Sequence, residues 1–299
     1  MNNSDVIFSV VIPTYNRADR LVLAVKSVLA QEFKKWELII VDDGSTDHTK
    51  DQISEFKDHR IRYFYKKNEE RAIARNFGIE RANGQYITFL DSDDELYPHC
   101  FSEALDLKNQ SNNPEWFHLA YEVKNEKGQV INKVNRRKGD LNKTLITGNH
   151  LSCIGVFVRK DILSIHQFNE HPIIIGSEDY ILWMKLAARF HLYYTNRICA
   201  FMNQHGDRSV ITGDLEKLEK RILKSIEIIR SDEVFKQAFY PHCKRLSIHR
   251  FLYLSLHSSL LKDRKKAFQY LVASILSGEF SSAFFLKTLG ILRTIFWKK

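Results

Sequence analysis

The sequence predicts an α/β fold in which helices flank a mostly parallel, Rossmann-like sheet, followed by a helical C-terminal appendage. Short apolar runs alternate with amphipathic stretches over residues 8–108, which is typical of βαβ units. The apolar runs are nearly continuous, as expected for strands of a parallel sheet that is covered on both faces. After residue 213 the apolar residues recur at helical spacing to the end of the chain.

The first part of the chain contains four predicted strands and the helices between them. The strands are predicted at residues 8–13, 37–41, 61–65 and 86–89. Helices are predicted from residue 21 to about 31, around residues 53–56, and over residues 71–82. Strands joined by such helices lie parallel, and ligands bind such a sheet outside the carboxyl ends of its strands. We therefore expect the functional site in the loops that follow these strands.

Beyond residue 94 the pattern mixes strands and helices. A helix is predicted to about residue 108, with strands at 116–121, 129–131 and 151–158 and helices at 160–165 and 180–188. Segments 192–194 and 199–202 are predicted to form a hairpin-like pair. The basic stretch at residues 136–138 and the loop to Gly148 have little periodicity, so a lid over an acceptor and a solvated loop both remain open. We expect a catalytic domain over residues 1–212 and a helical region over residues 213–299.

Length and composition indicate a globular protein with a large core. The chain has 299 residues, of which 44% are apolar. Its four cysteines lie about 45 to 55 residues apart without CxxC pairing, which argues against a zinc knuckle or a disulfide framework and favours reduced thiols in the cytosol. Polar residues lead directly into the first strand, so no signal peptide is expected, and no apolar run is long enough to predict a spanning helix.

The net charge of +9 is concentrated near the C-terminal end. Residues 262–299 contain eight lysines and arginines but only two acidic residues, which predicts contact with an anionic surface and no general affinity for nucleic acid. The last segment, residues 281–299, combines bulky apolar side chains with four basic ones. Such a helix is suited to a membrane interface, but a helix packed on the domain with its lysines in solvent would have the same composition. Both interpretations remain open.

Three carboxylates follow the fourth predicted strand within four positions, at Asp91, Asp93 and Asp94. Like charges this close repel by roughly 1 kcal/mol even in a water-like dielectric, so a cation is expected among them. An all-oxygen cluster suits a hard divalent ion, Mg²⁺ or Mn²⁺, which in turn would hold a diphosphate. An Asp-rich turn that caps the next helix is the alternative interpretation.

A second acidic loop, with Asp42 and Asp43, follows the second strand. Because parallel strands end at the same edge of a sheet, the two acidic loops should share one crevice. The first glycine of the chain is Gly44, which excludes a GxGxxG fingerprint after the first strand, and no GxxxxGK[ST] loop occurs. A nucleotide is therefore not held here as in a dinucleotide-dependent oxidoreductase or a P-loop ATPase.

Two further groups of polar residues are candidates for the site. Glu178 and Asp179 precede an apolar helix, where they would supply a general base or ordinary helix-start chemistry. His205 would reach a metal or a diphosphate, and Arg208 would balance phosphate charge, unless both belong to a solvated loop. The residues alone leave these alternatives open.

Five segments carry a resemblance to a known family. They are VVIPTYNR at residues 10–17, IVDDGSTD at 40–47, ARN at 74–76, GQYITFLDSDD at 84–94 and SED at 177–179. In these motifs, their order and their spacing, residues 6–210 resemble the family 2 glycosyltransferases. The resemblance implies a GT-A fold and inverting transfer of a sugar from a nucleotide sugar.

The resemblance also implies roles for individual residues. Asp91-Ser92-Asp93 corresponds to the DxD motif, with Asp93 as a direct ligand of Mn²⁺ or Mg²⁺ and Asp91 near the ribose or the metal. Arg75 matches a position close to the donor diphosphate, and Asp179 matches the catalytic base of inverting members. The residues implied to hold the nucleobase and ribose are Pro13, Thr14, Tyr15 and Asp43.

We therefore expect an inverting, metal-dependent glycosyltransferase that uses a UDP-sugar and builds a surface polysaccharide or lipid-linked glycan. Its expected partners are the nucleotide sugar, a saccharide or lipid-linked saccharide acceptor, and an anionic membrane surface at the cytoplasmic face. A nucleotidyltransferase on a similar sheet is the alternative enzyme, which the missing early Gly-rich loop and the Glu178–Asp179 pair disfavour. A non-catalytic nucleotide- or carbohydrate-binding module is the third hypothesis.

Overall fold

The structure of the chain is a computed structural model that describes residues 6–135, 138–205, 214–278 and 282–297. Its contacts group the chain into two compact units. The sheet unit comprises Met1–Leu141, Leu151–Glu170 and Phe190–Arg208, and the helical unit comprises Asn142–His150, His171–Arg189 and Ser209–Lys299. The helical unit thus includes two stretches from within the expected catalytic domain, and the boundary at residue 212 stays a prediction.

The described residues form nine strands, twelve α-helices and a short 3₁₀ helix at Pro172–Ile174. The strands are β1 Phe8–Thr14, β2 Trp36–Asp42, β3 Ile61–Tyr65, β4 Tyr86–Phe89, β5 Asp94–Leu96, β6 Trp116–Lys124, β7 Val130–Val134, β8 Val156–Arg159 and β9 Leu192–Asn203. The helices are α1 Ala18–Leu29, α2 Thr49–Ser54, α3 Arg71–Arg81, α4 Cys100–Gln110, α5 Leu141–Leu145, α6 Lys160–Ile165, α7 Glu178–Ala187, α8 Leu215–Ser231, α9 Glu233–Ala238, α10 Lys244–Leu260, α11 Arg264–Leu276 and α12 Ser282–Trp297.

One mixed sheet runs through the sheet unit in the order β3-β2-β1-β4-β8-β6-β9-β5, with β7 paired to β6. Strands β3, β2, β1 and β4 are parallel, as the alternating sequence pattern predicts. The pairings of the other strands are antiparallel except that of β6 with β9. Every residue of β1 and β2 is buried, which explains their nearly continuous apolar runs. The acidic loops follow β2 and β4, on either side of the end of β1.

A buried carboxylate, Glu37, holds the amino ends of the parallel strands in register. It accepts hydrogen bonds from Ser9 Oγ of β1 at 2.6 Å, from Arg62 Nη1 of β3 at 2.9 Å and from Asn83 Nδ2 ahead of β4 at 3.0 Å. Burial raises the pKa of Glu37, but these hydrogen bonds outweigh it and keep the pKa below its usual value. The charged carboxylate of Glu37 therefore stabilises the fold at the edge of the sheet opposite to the acidic loops.

The predicted hairpin at residues 192–202 is wrong. Leu192–Asn203 is one strand, β9, which pairs in parallel with β6 and antiparallel with β5. The polar residues Thr195, Asn196 and Arg197 resemble a turn in the sequence. The register between β6 and β9 shifts around Ala120, and this irregularity accommodates the polar residues within the strand. Pairing on both edges of β9 therefore outweighs the local turn preference.

Strand β8 is shorter than the prediction, and strand β5 is absent from it. Strand β8 begins only at Val156, after Gly155, whose φ of +86° suits glycine. A Cβ atom at Gly155 would lie 2.7 Å from the carbonyl oxygen of Leu119, so this position also needs a residue without a side chain. The sequence does not predict β5, because its three residues begin within the acidic cluster and carry no apolar alternation.

The helical unit has two apolar clusters of its own. One joins α8 to α10, and the other joins α10 to α11 and α12. Phe284 and Ile291 of α12 are buried in the second cluster, whereas Phe285 and Leu289 of the same helix are exposed. The last helix therefore packs on its own unit and also presents apolar side chains at the surface. Among the helices that the structure describes, none combines the length and apolar character needed to cross a bilayer.

Candidate functional site

The turn after β1 contacts both acidic loops. Asn16 lies in the left-handed backbone region with φ 49°, and its side-chain oxygen accepts a hydrogen bond from the Thr46 N–H at 2.8 Å. The next residue, Arg17, donates from Nη1 to Asp93 Oδ2 at 3.1 Å. Consecutive residues of one turn thus bind the loop after β2 and the loop after β4, so both loops lie at the same edge of the sheet.

The acidic cluster lies in a tight turn between β4 and β5. The Asp94 N–H donates to the Asp91 carbonyl oxygen at 3.0 Å, and ligand atoms of Asp91, Asp93 and Asp94 lie within 4.8 Å of one another. Asp94 is fully buried, and its Oδ1 accepts the Asn203 N–H of β9 at 3.1 Å. Helix α4 begins only at Cys100 and has no side-chain cap, so these carboxylates do not cap it. Three oxygen ligands this close suit a hard divalent cation.

Two arginines offset part of the negative charge of this cluster. Arg75 of α3 is 2% exposed and donates from Nη2 to Asp91 Oδ1 at 2.7 Å. Arg17 is the corresponding partner of Asp93. A guanidinium has fixed, fork-shaped donors that match carboxylate and phosphate oxygens. The two arginines therefore place guanidinium groups, which are suited to bind phosphate oxygens, directly beside the carboxylates.

His205 also lies beside the acidic cluster. Its Nε2 is 2.9 Å from Asp93 Oδ2, the same oxygen that accepts from Arg17. Its Nδ1 is buried without a hydrogen-bond partner in the described part of the chain. His205 is 7% exposed, so the interpretation of a solvated loop histidine does not hold. Arg208, the other candidate in this segment, lies outside the described residues.

The loop after β2 holds Asp43 in place through a cation and a backbone donor. Asp43 is 4% exposed, and its Oδ1 accepts from Lys66 Nζ at 2.7 Å and from the Glu69 N–H at 3.1 Å. Burial lowers the pKa of Lys66, but hydrogen bonds to Asp43 and Glu69 outweigh it and raise the pKa above its usual value. Nearby, Thr14 Oγ1 is buried without a partner among the described residues, while Tyr15 is half exposed.

The sheet unit thus brings most of the predicted site residues to the carboxyl edge of its parallel strands. These residues are Pro13, Thr14, Tyr15, Asp43, Arg75, Asp91, Asp93 and His205. Asp179 belongs to the helical unit. The roles implied by the family resemblance stay predictions for all of them.

Glu178 and Asp179, at the start of α7, have different environments. Glu178 is 3% exposed, and its Oε2 accepts the Gly176 N–H, so this carboxylate stabilises the turn that leads into the helix. Asp179 is partly exposed, and its Oδ2 accepts from Asn149 Nδ2 at 2.9 Å. Its other oxygen accepts the N–H of the next residue, Tyr180, at 2.7 Å. These two hydrogen bonds fix the orientation of the Asp179 carboxylate, which remains partly exposed and therefore accessible for proton transfer.

Three residues to which the sequence pattern assigns no role contact candidate site residues within their own unit. Arg17 binds Asp93, Lys66 binds Asp43, and Asn149 binds Asp179. The position of Arg17, a cation in the turn after the first buried strand, could have indicated a site residue. No such signal marks Lys66 or Asn149, since each lies in a loop far along the chain from its partner.

The family follows from a match between residues 9–162, about half of the chain, and the family model described as glycosyl transferase family 2. The chain belongs to this family. An uncharacterised glycosyltransferase of Rickettsia conorii is 40% identical over 198 residues, which are 62% of this chain and 31% of that protein. The Escherichia coli protein WfgD, named as a UDP-Glc:α-D-GlcNAc-diphosphoundecaprenol β-1,3-glucosyltransferase, is 30% identical over 61% of this chain and 70% of its own length.

The fold has a close counterpart among solved structures. Staphylococcus aureus TarS residues 1–349, in complex with UDP-GlcNAc, superposes with a TM-score of 0.70 at 18% identity, covering 97% of this chain and 90% of that chain. This likeness confirms the predicted GT-A fold.

Three Rickettsia relatives are matched over only 26% to 31% of their own length, so the present chain spans about a third or less of each.

Proposed function

We propose that this family 2 protein is an inverting, metal-dependent glycosyltransferase. Its donor is a nucleotide sugar, namely a UDP-sugar. The sugar is transferred to a saccharide or lipid-linked saccharide during synthesis of a surface glycan. The observation that carries the proposal is the acidic cluster, with three carboxylates within 4.8 Å at the carboxyl edge of a parallel sheet. The name of the Escherichia coli relative, which specifies a UDP-sugar and a diphosphoundecaprenol acceptor, supports both substrate classes.

The residues of the cluster fit a bound Mn²⁺ or Mg²⁺. Asp91 and Asp93 supply hard oxygen ligands, and His205 lies in contact with Asp93. When bound, the cation neutralises the charge that develops on the departing nucleoside diphosphate. In this proposal Arg75 and Arg17, each of which donates to one of these carboxylates, also bind diphosphate oxygens.

The remaining proposed roles belong to the nucleoside and to the acceptor. Asp43 accepts from an N–H of the base, and the orphaned Thr14 hydroxyl and the exposed Tyr15 ring contact the nucleoside. Asp179 removes the proton from the acceptor hydroxyl as that hydroxyl attacks the anomeric carbon. A single displacement from the face opposite to the diphosphate inverts the anomeric centre.

Product analysis with a donor panel tests this function against its two alternatives. UDP-, GDP- and dTDP-sugars are incubated with the protein and a lipid-linked saccharide, with Mn²⁺ or with EDTA. We expect release of the nucleoside diphosphate and a glycosylated acceptor, with Mn²⁺ only. A nucleotidyltransferase would release pyrophosphate, and a binding module would release neither. Either result would refute the proposal.

We also propose that the helical unit docks on an anionic membrane at its cytoplasmic face. Large apolar side chains are exposed on α10, α11 and α12, and Phe285 and Leu289 lie one helical turn apart on the same face of α12. Exposed basic residues lie on the same three-helix region, namely Lys262, Arg264, Lys265 and Arg293. Apolar side chains among basic ones match the chemistry of an anionic lipid surface.

Vesicle sedimentation tests this docking. The double variant Phe285→Asp/Leu289→Asp should bind vesicles of anionic phosphatidylglycerol about tenfold less than the parent chain, because it puts two charges into the apolar contact. Leu23→Asp is the matched control, since Leu23 is 50% exposed on α1 of the sheet unit. Equal sedimentation of the double variant and the control would contradict membrane docking through α12.

A further inference from the structure

A cavity in the helical unit has features that the donor site does not explain. Its volume is about 680 Å³, and it is lined by Asp179, by the loop at 147–149 and by residues of α8, α10 and α12. Arg221 of α8 and Arg250 of α10 contribute guanidinium groups to it. The apolar side of the lining consists of Ile222, Leu252, Tyr253, Leu256 and Ile291.

Arg250 is a buried cation that no carboxylate of the described residues compensates. It is 8% exposed, and its guanidinium lies 4.2 Å from the centroid of the Tyr180 ring. Within the described ranges, its Nε has no hydrogen-bond partner and no carboxylate forms an ion pair with it. A buried charge that is unpaired carries a large desolvation cost. An anion bound in this cavity would remove that cost.

The backbone around the cavity leaves room for both guanidinium groups. A Cβ atom at Gly176 would lie 2.6 Å from Arg221 Nη1, so a larger residue there would displace the guanidinium from its present position. Gly176 also has φ +88°, which favours glycine. On the other side, a Cβ atom at Gly148 would lie 3.6 Å from Arg250 Nη2, at ordinary contact distance. Arg221 and Arg250 therefore lie against the two backbone segments that flank Asp179 and its partner Asn149.

We propose that this cavity binds the diphosphate of a lipid-linked saccharide acceptor. Arg250, with Arg221, pairs with the phosphate oxygens, and the apolar side of the lining contacts the first part of the lipid chain. In such an acceptor the diphosphate is attached directly to the sugar, so the attacked hydroxyl lies about one sugar ring from it. Asp179, which lines the same cavity, is then within reach of that hydroxyl. The identity of the sugar-bearing acceptor rests on the proposed function, whereas the lipid diphosphate site does not.

Binding measurements without metal test the site directly. Farnesyl diphosphate is titrated calorimetrically in EDTA, which prevents metal-dependent binding at the acidic cluster, and inorganic pyrophosphate and farnesol are titrated in parallel. We expect farnesyl diphosphate to bind about tenfold or more tightly than either probe, because only it has both the charge and the chain. Pyrophosphate binding as tight as that of farnesyl diphosphate would overturn the lipid assignment in favour of a free anion.

Two variants connect this binding to the cavity. Arg250→Gln should weaken the binding of farnesyl diphosphate by about tenfold or more, whereas Arg230→Gln, which removes the same charge from an exposed site on α8, should not change it. Gly290→Leu puts a side chain into open space beside the cavity and replaces a helical glycine by a better helix former, so this variant should fold. It should also weaken binding. Parental affinity in Arg250→Gln and Gly290→Leu would overturn the assignment.

An activity measurement separates the failure of this inference from the failure of the proposed function. If sugar transfer occurs and Arg250→Gln keeps the parental KM for the lipid-linked acceptor, the cavity assignment is wrong and the glycosyltransferase stands. If farnesyl diphosphate binding depends on Arg250 but no donor and acceptor pair reacts, the proposed function is wrong and the site stands.

Discussion

Asp93→Asn is expected to weaken UDP binding about 100-fold in the presence of Mn²⁺ and to change it little in EDTA. The substitution keeps the shape of the side chain but removes the charge from one of three carboxylates whose oxygens lie within 4.8 Å of one another. Loss of even an outer partner of a metal site typically costs about 10- to 100-fold in metal affinity, so a direct ligand should matter at least as much. Calorimetric titration of UDP with and without Mn²⁺ measures both values.

Asp51→Asn is the matched control for this experiment. It makes the same change in charge within the sheet unit, on a side chain of α2 that is 83% exposed. UDP affinity in this variant should follow the parent chain with and without Mn²⁺. If Asp93→Asn retained the full enhancement of UDP binding by Mn²⁺, the carboxylate of Asp93 would not be a ligand, and the proposed metal site would have to be abandoned.

Asp179→Asn is expected to lower kcat about 1000-fold while the Kd of the nucleotide sugar stays within about twofold, since general acid–base catalysis typically contributes 10²- to 10⁴-fold. The amide keeps the side-chain shape but cannot take the proton of the acceptor hydroxyl. An amide in this position can still accept from Asn149 Nδ2, as the carboxylate does at 2.9 Å. Steady-state rates at saturating donor and acceptor, together with donor titration, separate catalysis from binding.

Glu216→Gln serves as the control for this second experiment. Glu216 lies in the first turn of α8 in the helical unit, and its side chain is 71% exposed. Its kcat and thermal unfolding midpoint should remain close to those of the parent chain. A near-parental kcat in Asp179→Asn would exclude Asp179 as the base, even if sugar transfer itself were confirmed.

Local sequence pattern was sufficient for the elements whose burial matches their composition. The predicted strands at 61–65 and 86–89 and the helix at 160–165 coincide with β3, β4 and α6. In β1 and β2 every residue is buried, so each apolar run directly indicates a strand that is covered on both faces. Such elements are predictable because local preference and burial favour the same conformation.

Two elements that the local pattern does not predict, the continuous strand β9 and the strand β5, depend on pairing between distant segments. β9 continues through polar residues because β6 and β5 pair with its two edges. β5 consists of three residues that form a strand only against β9. The polar residues 195–197 of β9 and the three residues of β5 have no periodic signal of their own, so no window of local sequence distinguishes them from a turn.

For the candidate site, sequence reasoning found the groups that are close to one another in the chain. Asp91, Asp93 and Asp94 form a cluster in the sequence and also in the structure. The pairing of Asp43 with Lys66 was not predicted. The same holds for the cavity that contains Arg250, which is lined by five separate segments of the helical unit.

The sequence by itself determined the family, the parallel half of the sheet and the acidic residues at its carboxyl edge. This was possible because each buried strand and the motif after it consist of consecutive residues. Only the tertiary structure decided which cations face those acids, where β9 runs, and that a buried guanidinium lines the same cavity as Asp179. The physical reason is that ion pairs, strand edges and cavities form between segments far apart in the chain. Their energies depend on distance and burial, which arise only when the chain has folded.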